Sequence, residues 1–297
     1  MTPARSGGSQ PYKVHQEPVL RNPVLVVAME GWVDAGLGAI TAVTSLMGER
    51  HTEQIVTFDG DHFLDQRARR PIARIVDGVT TELRWPEIEI RHGQDGAGAD
   101  MLYLSGPEPD FHWRQFVDEV VGLALGWNVR LVVGLGAFPA PAPHTRPVKL
   151  AATAPPSSAG LLAGVGVVQG ELEVPSGVQT ALELGFSAVG VEAVSLWARV
   201  PHYVSAMQFP DAGASLVDGL AAISGLVLDS SALHGAADDS RRQVDELIAG
   251  NPEHMAMVRK LEERIDASEG NALGMEELPT GDELAAELEQ FLRGEGR

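Results

Sequence analysis

Glu30, Trp32 and Asp34 follow one another at two-residue spacing directly after the apolar run of residues 23–29 (PVLVVAM). Carboxylates at the end of such a run are placed for proton transfer or ligand binding, because open α/β sheets bind ligands in the loops beyond the carboxyl ends of their strands. Asp34 also has the residue type and position of a helix N-cap, and Trp32 suits a core or an interface equally. Arg67, Arg69 and Arg70 form the densest basic cluster in the chain. They are able to bind a carboxylate or phosphate, or to form a solvated, salt-bridged face. Further on, residues 139–147 (PAPAPHTRP) make a loop that prolines stiffen and that presents His144 and Arg146. A stiff loop preorganises a site, or an ordered subunit contact.

Periodicity shows the elements that position these groups. Residues 23–29 are unbroken and valine-rich, the pattern of a strand buried on both faces of a parallel sheet. Leu37, Ile40, Val43 and Met47 then recur at helical spacing up to Gly48, which completes a strand–turn–helix unit. Residues 54–58 read as a strand, and residues 72–84 hold two β-rich runs around Asp77-Gly78, a dipeptide that favours a tight hairpin turn. A core strand over 101–104 precedes a helix whose Trp113, Phe116, Val120 and Leu123 share one face, with Asp110 placed to cap it. Residues 131–135 return to the sheet, 178–184 are helical, 189–197 form a buried strand and 216–227 are helical. The alternation predicts an α/β core over residues 22–236, with a mostly parallel sheet flanked by helices.

Both ends differ from that core. Residues 1–21 are polar, contain Pro, Gly and Ser, lack an apolar signal-peptide core, and read as a disordered tail. Residues 237–297 carry 16 Asp and Glu against 7 Lys and Arg and read as an acidic helical C-terminal extension. Asn251-Pro252 starts one helix, with Met255, Val258, Leu261 and Ile265 on a face; Leu284, Leu288, Phe291 and Leu292 mark another. Such faces pack on their own chain or on a partner.

Composition narrows the chemistry. The formal net charge of −19 opposes nucleic-acid binding. The chain has no cysteine, which excludes disulfides, thiolate metal sites and cysteine nucleophiles and fits the cytoplasm. The longest charge-free run, residues 150–170, is broken by prolines, serines and glycines, so no membrane span is expected. Gly36-x-Gly38 opens the first helix where a dinucleotide loop would sit, but Thr41 replaces the third glycine. No phosphate-binding P-loop, hydrolase nucleophile elbow or zinc-protease motif is present, and the nine histidines do not pair at metal-ligand spacing. Neither a metal nor a cofactor is predicted.

Six motifs in order carry a family resemblance: Glu30-Gly31-Trp32-x-Asp34-Ala35-Gly36, Arg69-Arg70-Pro71, Gly106-Pro107-Glu108-Pro109-Asp110, Gly134-x-Gly136-Ala137, Pro143-His144-Thr145-Arg146-Pro147, and Leu196-Trp197-Ala198-x-Val200-Pro201-His202-Tyr203-Val204. Together they resemble the bacterial branch of the proteasome assembly chaperone 2 family, from about residue 24 to about residue 292. Nineteen arginines against three lysines is similar to proteins of GC-rich actinobacteria. The resemblance implies a core similar to the nucleoside phosphorylase and hydrolase fold, and homo-oligomers, with a trimer as the expected arrangement. It also brings in proteasome subunits as candidate partners, and Trp197, His202 and Tyr203 as candidate ligand or interface residues. Some relatives dock through a C-terminal hydrophobic-tyrosine-any tripeptide, whereas this chain ends Glu295-Gly296-Arg297. Any proteasome contact is therefore expected to use the folded body or the acidic helices.

Two classes of function follow. The first is an oligomeric interaction protein of the assembly-chaperone type, for which Trp32, Trp85, Trp197 and the proline-rich loop supply rigid anchors. The second is a small-molecule-binding protein or enzyme, with Arg70 and Arg146 holding an anion and Glu30 or His144 handling protons around one pocket. An ATP-dependent carboxylate-amine ligase is a further variant of the second, but it requires a nucleotide-cradling loop and Mg²⁺ carboxylates that the sequence does not display.

Overall fold

The computed structural model describes residues 10–31, 33–48, 51–167 and 170–270. In chain order its elements are β1 (Tyr12–Val14), β2 (Val24–Glu30), α1 (Gly38–Gly48), β3 (Glu53–Phe58), α2 (Gly60–Phe63), β4 (Ile72–Val76), β5 (Val79–Arg84), β6 (Glu89–Gln94) and β7 (Asp100–Pro107). They continue with α3 (Trp113–Gly126), β8 (Leu131–Ala140), β9 (Leu150–Thr153), α4 (Val178–Ala188), β10 (Glu192–Pro201), α5 (Pro210–Ser224), α6 (Ser231–Ala249) and α7 (Pro252–Gly270).

The valine-rich run of β2 is apolar throughout because both of its faces are covered. Val24, Val26 and Ala28 join one core cluster with Ala42, Val43 and Leu46 of α1 and Leu216, Val217 and Leu220 of α5. Leu25 and Val27 join a second cluster with Phe116 and Val120 of α3 and Leu182 and Phe186 of α4. Alternate side chains of one strand thus feed two helical layers, and each fully buried Leu or Phe contributes about 2 kcal/mol.

Eight strands form one sheet in the order β1-β3-β6-β7-β2-β8-β10-β9. Only the central group is parallel: β2 pairs in parallel with β7 and β8, and β8 with β10. The outer pairs β1–β3, β3–β6, β6–β7 and β9–β10 are antiparallel. The α/β class holds, but the sheet is mixed, because the chain between β3 and β7 returns through a hairpin rather than through crossover helices.

Other expectations are refined. Within the segment read as a tail, Tyr12–Val14 forms an edge strand that pairs with Phe58, Thr57 and Val56. Asp110 does not cap α3; that position is taken by His112 in the left-handed region at φ 58°. The backbone N–H groups of Asp110 and Phe111 both donate to Phe63 O, and the Asp110 carboxylate faces the turn that follows α2. The hairpin forms as expected, with Asp77 at φ 50° and Gly78 at φ 81°. Both central residues have positive φ, as a two-residue turn matched to strand twist requires. α6 begins at Ser231 and buries Leu233 and Val244 in the first cluster, while α7 buries Val258 and Leu261. The predicted stripe of Leu284, Leu288, Phe291 and Leu292 lies outside the described residues, as does Trp32.

Candidate functional site

Because β2, β7, β8 and β10 run in parallel, their carboxyl ends at Glu30, Pro107, Ala140 and Pro201 lie along one edge of the sheet. The loops that leave this edge carry most of the motifs singled out from the sequence.

After β2, Glu30 is exposed and its carbonyl accepts the Glu108 N–H at 2.8 Å. The Asp34 carboxylate accepts the backbone N–H groups of Ala39 at 2.8 Å and Ile40 at 3.1 Å. It therefore caps α1. Burial raises its pKa, and these hydrogen bonds oppose the rise. Gly36 has φ 64°, and a Cβ there would lie 2.8 Å from the Phe209 Cβ; a Cβ on Gly38 would lie 3.0 Å from those of both Ala137 and Ala212. The Gly-x-Gly pair lets α1 pack tightly against β8 and α5.

After β7, Glu108 accepts a hydrogen bond from the Val178 N–H at the start of α4. Asp110 accepts the Asp65 N–H at 2.8 Å and pairs with the Arg69 guanidinium at 3.1 Å. Arg67 and Arg70 are exposed at the root of the β4–β5 hairpin.

The loop after β8 is the most heavily bonded. Its His144 side chain is buried at 1% exposure. The Tyr203 hydroxyl oxygen lies 2.8 Å from His144 N, whose N–H it accepts, and 2.7 Å from Nδ1. Because the Asp245 carboxylate of α6 only accepts, Nε2–H donates to its Oδ1 at 2.9 Å, and in that neutral tautomer Nδ1 accepts the Tyr203 hydroxyl proton. Burial pushes the Tyr203 hydroxyl up to about 12, so it stays protonated. The His144 and Tyr203 rings meet edge to face at 5.8 Å, and His202 and Tyr203 do so at 5.3 Å. Arg146 bonds Asp266 of α7 through Nε at 2.9 Å and Nη2 at 2.7 Å, and Glu262 through Nη1 at 3.2 Å. Thr145 donates to the same Glu262. The loop read as a ligand-binding or contact element is bonded to α6 and α7 and holds both helices against this edge.

Trp197 of β10 donates Nε1–H to Thr153 Oγ1 at 3.1 Å and lies flat over Gly136, where a Cβ would come within 2.3 Å of the ring. Behind it, the buried Glu183 accepts hydrogen bonds from Ser195 and Thr153, and burial pushes its carboxyl up to about 7. The structure also joins Arg241 of α6 to the buried Asp211 of α5 at 2.7 Å. Sequence reading missed Asp211, Glu183, Asp245, Glu262 and Asp266. The only signal pointing to the last two was their place in an acidic, amphipathic segment.

The enzyme reading asks Glu30, Arg70 and Arg146 to share a pocket. A groove of about 500 Å³ between β1 and α3 is lined by Tyr12, Val14, Glu17, Leu123 and Trp127, among others. A second of about 320 Å³ beside β9 is lined by residues including Lys149, Leu150, Val165 and Gly219. None of the three lines either groove. Among the described residues, no three His, Asp or Glu side chains gather in a metal-binding group, and no helix is long and apolar enough to cross a membrane.

Residues 28–248 match the PAC2 family. The chain belongs to that family. A Mycobacterium tuberculosis proteasome-assembly chaperone homologue is 36% identical over 79% of this chain and 99% of its own, with a TM-score of 0.73. A second M. tuberculosis protein, of unknown function, is 31% identical over 90% of this chain and 94% of its own, with a TM-score of 0.82. An archaeal proteasome activator from Pyrococcus furiosus shares the fold at 15% identity over 80% of this chain and 97% of its own, with a TM-score of 0.60. A search of curated proteins finds no match. In this PAC2 chain the family-like motifs at Asp34, Glu108, Asp110, His144 and Arg146 all make bonds between elements.

Proposed function

We propose that this PAC2 protein is a homo-oligomeric interaction protein of the assembly-chaperone kind, with proteasome subunits as candidate clients and a trimer as the expected arrangement. One observation carries the reading: the polar groups of the His144–Arg146 loop engage α6 and α7 of the same chain. Arg146 faces two carboxylates, Glu262 and Asp266, and His144 is enclosed between Tyr203 and Asp245. An arginine already neutralised by two carboxylates is a poor anion receptor, because a substrate phosphate would first have to displace both. The edge where an α/β enzyme places its reacting groups is here occupied by bonds that stiffen a platform. Similarity to the M. tuberculosis chaperone homologue supports the same class of function.

Two measurements test the proposal. Light scattering at micromolar concentration is expected to give a multiple of the 31.6 kDa chain mass. Immobilised full-length protein is expected to retain proteasome core subunits from a bacterium that has them. A monomer that retains no such subunit overturns the reading.

A further inference from the structure

We infer that the β4–β5 hairpin is an arm that docks on the acidic surface of a second copy of this chain. The inference rests on the homo-oligomer reading above and names the surface that makes the contact.

Every residue of β4 and β5 is exposed, although the hairpin is rich in large apolar side chains. Ile72, Ile75 and Val79 are each 63% exposed, and Val76, Leu83 and the following Trp85 stand out beside them. Along β4, Ile72 and Val76 lie on one face of the ribbon and Ile75 on the other, so both faces are apolar. The hairpin makes a sheet of its own, separate from the eight-stranded sheet. A two-stranded ribbon needs a third strand or a packed face to be stable in water, and among the described residues this chain supplies neither. An exposed apolar ribbon of this size marks an interaction surface.

Charge selects the partner. Between Arg67 and Arg84 the chain places five arginines and only two carboxylates, Asp77 and Glu82, whereas the whole chain has a formal net charge of −19. Within the hairpin Arg74 and Arg84 are matched by Asp77 and Glu82, so the positive excess lies at its root, where Arg67 and Arg70 are exposed on a strongly acidic body. The complement of that root in charge is the body of another copy, and attraction between the two steers association. Because the arm and the acidic surface are different patches, the contact is heterologous, and a contact of that kind forms a ring such as the expected trimer when its rotation closes.

Light scattering on the full-length chain and on an Ile75→Asp/Val79→Asp variant tests this, with circular dichroism melts as the folding control. The wild type is expected to be a multimer, and the variant to fall to 31.6 kDa with its melt unchanged. An Arg74→Glu/Arg84→Glu variant should dissociate at least tenfold more readily at low salt, with the difference shrinking as salt screens the attraction. Since the chain has no cysteine, Val79→Cys carrying a thiol-reactive photo-cross-linker labels the arm alone. Irradiation is expected to give an adduct of twice the chain mass. A wild-type multimer whose mass both variants preserve overturns the arm while leaving the homo-oligomer reading intact. A wild-type monomer overturns both. Variants that stay multimeric but lose a captured client assign the arm to a different protein, and variants that unfold place it on its own chain; either result refutes the inference.

Discussion

The loop after β8 and the β4–β5 hairpin are both arginine-bearing projections, yet they meet opposite fates. Arg146 finds Asp266 and Glu262 on α7, and the neighbouring His144 is sealed between Tyr203 and Asp245. The hairpin has all its strand residues in solvent. Residue type does not distinguish the two, since each carries arginine and begins or ends near proline. What separates them is the location of the complementary surface. For the loop it is formed by acidic helices of the same chain, so the loop becomes a joint. For the hairpin the described residues cover none of the strand positions, so it projects as an arm. Substitutions in the jointed body should therefore be read in stability, and substitutions in the arm in assembly.

The largest expected effect is at Gly106, where β7 meets the antiparallel half of the sheet. Its φ is 110°, and a Cβ there would sit 2.1 Å from the Glu87 carbonyl oxygen. Gly106→Ala combines a strained backbone with overpacking against a main-chain atom, a loss of about 4 kcal/mol. Urea titration should show a sharply lowered midpoint or no soluble protein; an unchanged midpoint would mean that the two halves of the sheet are not rigidly joined there. Next is Arg241→Ala, which leaves the buried Asp211 without its partner and should cost about 3 kcal/mol. Replacing both members with apolar residues should restore much of that loss. A melt that Arg241→Ala leaves unchanged would detach α6 from the jointed body.

The contrast between local and distant pairing also explains what the sequence disclosed. β2, α1, α3 and the hairpin turn could be read directly, because alternation, helical spacing and Asp77-Gly78 are local signals. β1 could not, since three residues are too few for a period and the strand exists only through its register on β3. The motifs around Glu108, His144 and Arg146 marked the family, but their physical work was hidden. Glu108 meets Val178 across 70 positions and Arg146 meets Asp266 across 120, and nothing local encodes such a pairing. Glu183 was hidden differently: on a helix written VQTALELGFSA it resembles a solvent-facing acid, yet α4 turns it under β10 against Ser195.

That buried acid gives a pH test of the body. The Glu183 carboxyl is held at about 7 instead of 4.5 because burial disfavours its charge. A raised folded-state pKa means that the folded state keeps the proton longer than the unfolded chain does. Stability is therefore unaffected below about pH 4.5, falls as pH rises from there to 7, and carries the full penalty above 7. That penalty is on the order of 3 kcal/mol at most. Glu183→Gln should melt higher than wild type at pH 8 and lose most of that advantage at pH 5. A constant difference between the two pH values would show that burial does not raise the pKa of this carboxyl in the fold.

The smallest effect, and the one that bears most directly on the opening comparison, is a matched pair of arginine deletions. Arg146 is about one-third exposed, and its partners Glu262 and Asp266 are 25% and 51% exposed. Solvent screens such a pair, so Arg146→Ala should cost the global fold only about 1 kcal/mol, even with bidentate geometry toward Asp266. Its local effect should be larger in kind. With Arg146 gone, Thr145 remains as a contact of this loop with α7 through Glu262, while the His144–Asp245 bond still holds α6. Limited proteolysis should then cut first within α7, leaving a fragment that retains the sheet and α6. Arg74→Ala in the hairpin removes the same side chain from an exposed site, so its melt should stay within about 0.5 kcal/mol of wild type. Its protease pattern should not change, and its only readout should be weaker self-association. If Arg74→Ala exposes α7 to protease, or Arg146→Ala dissociates the oligomer without loosening α7, the roles of joint and arm are reversed.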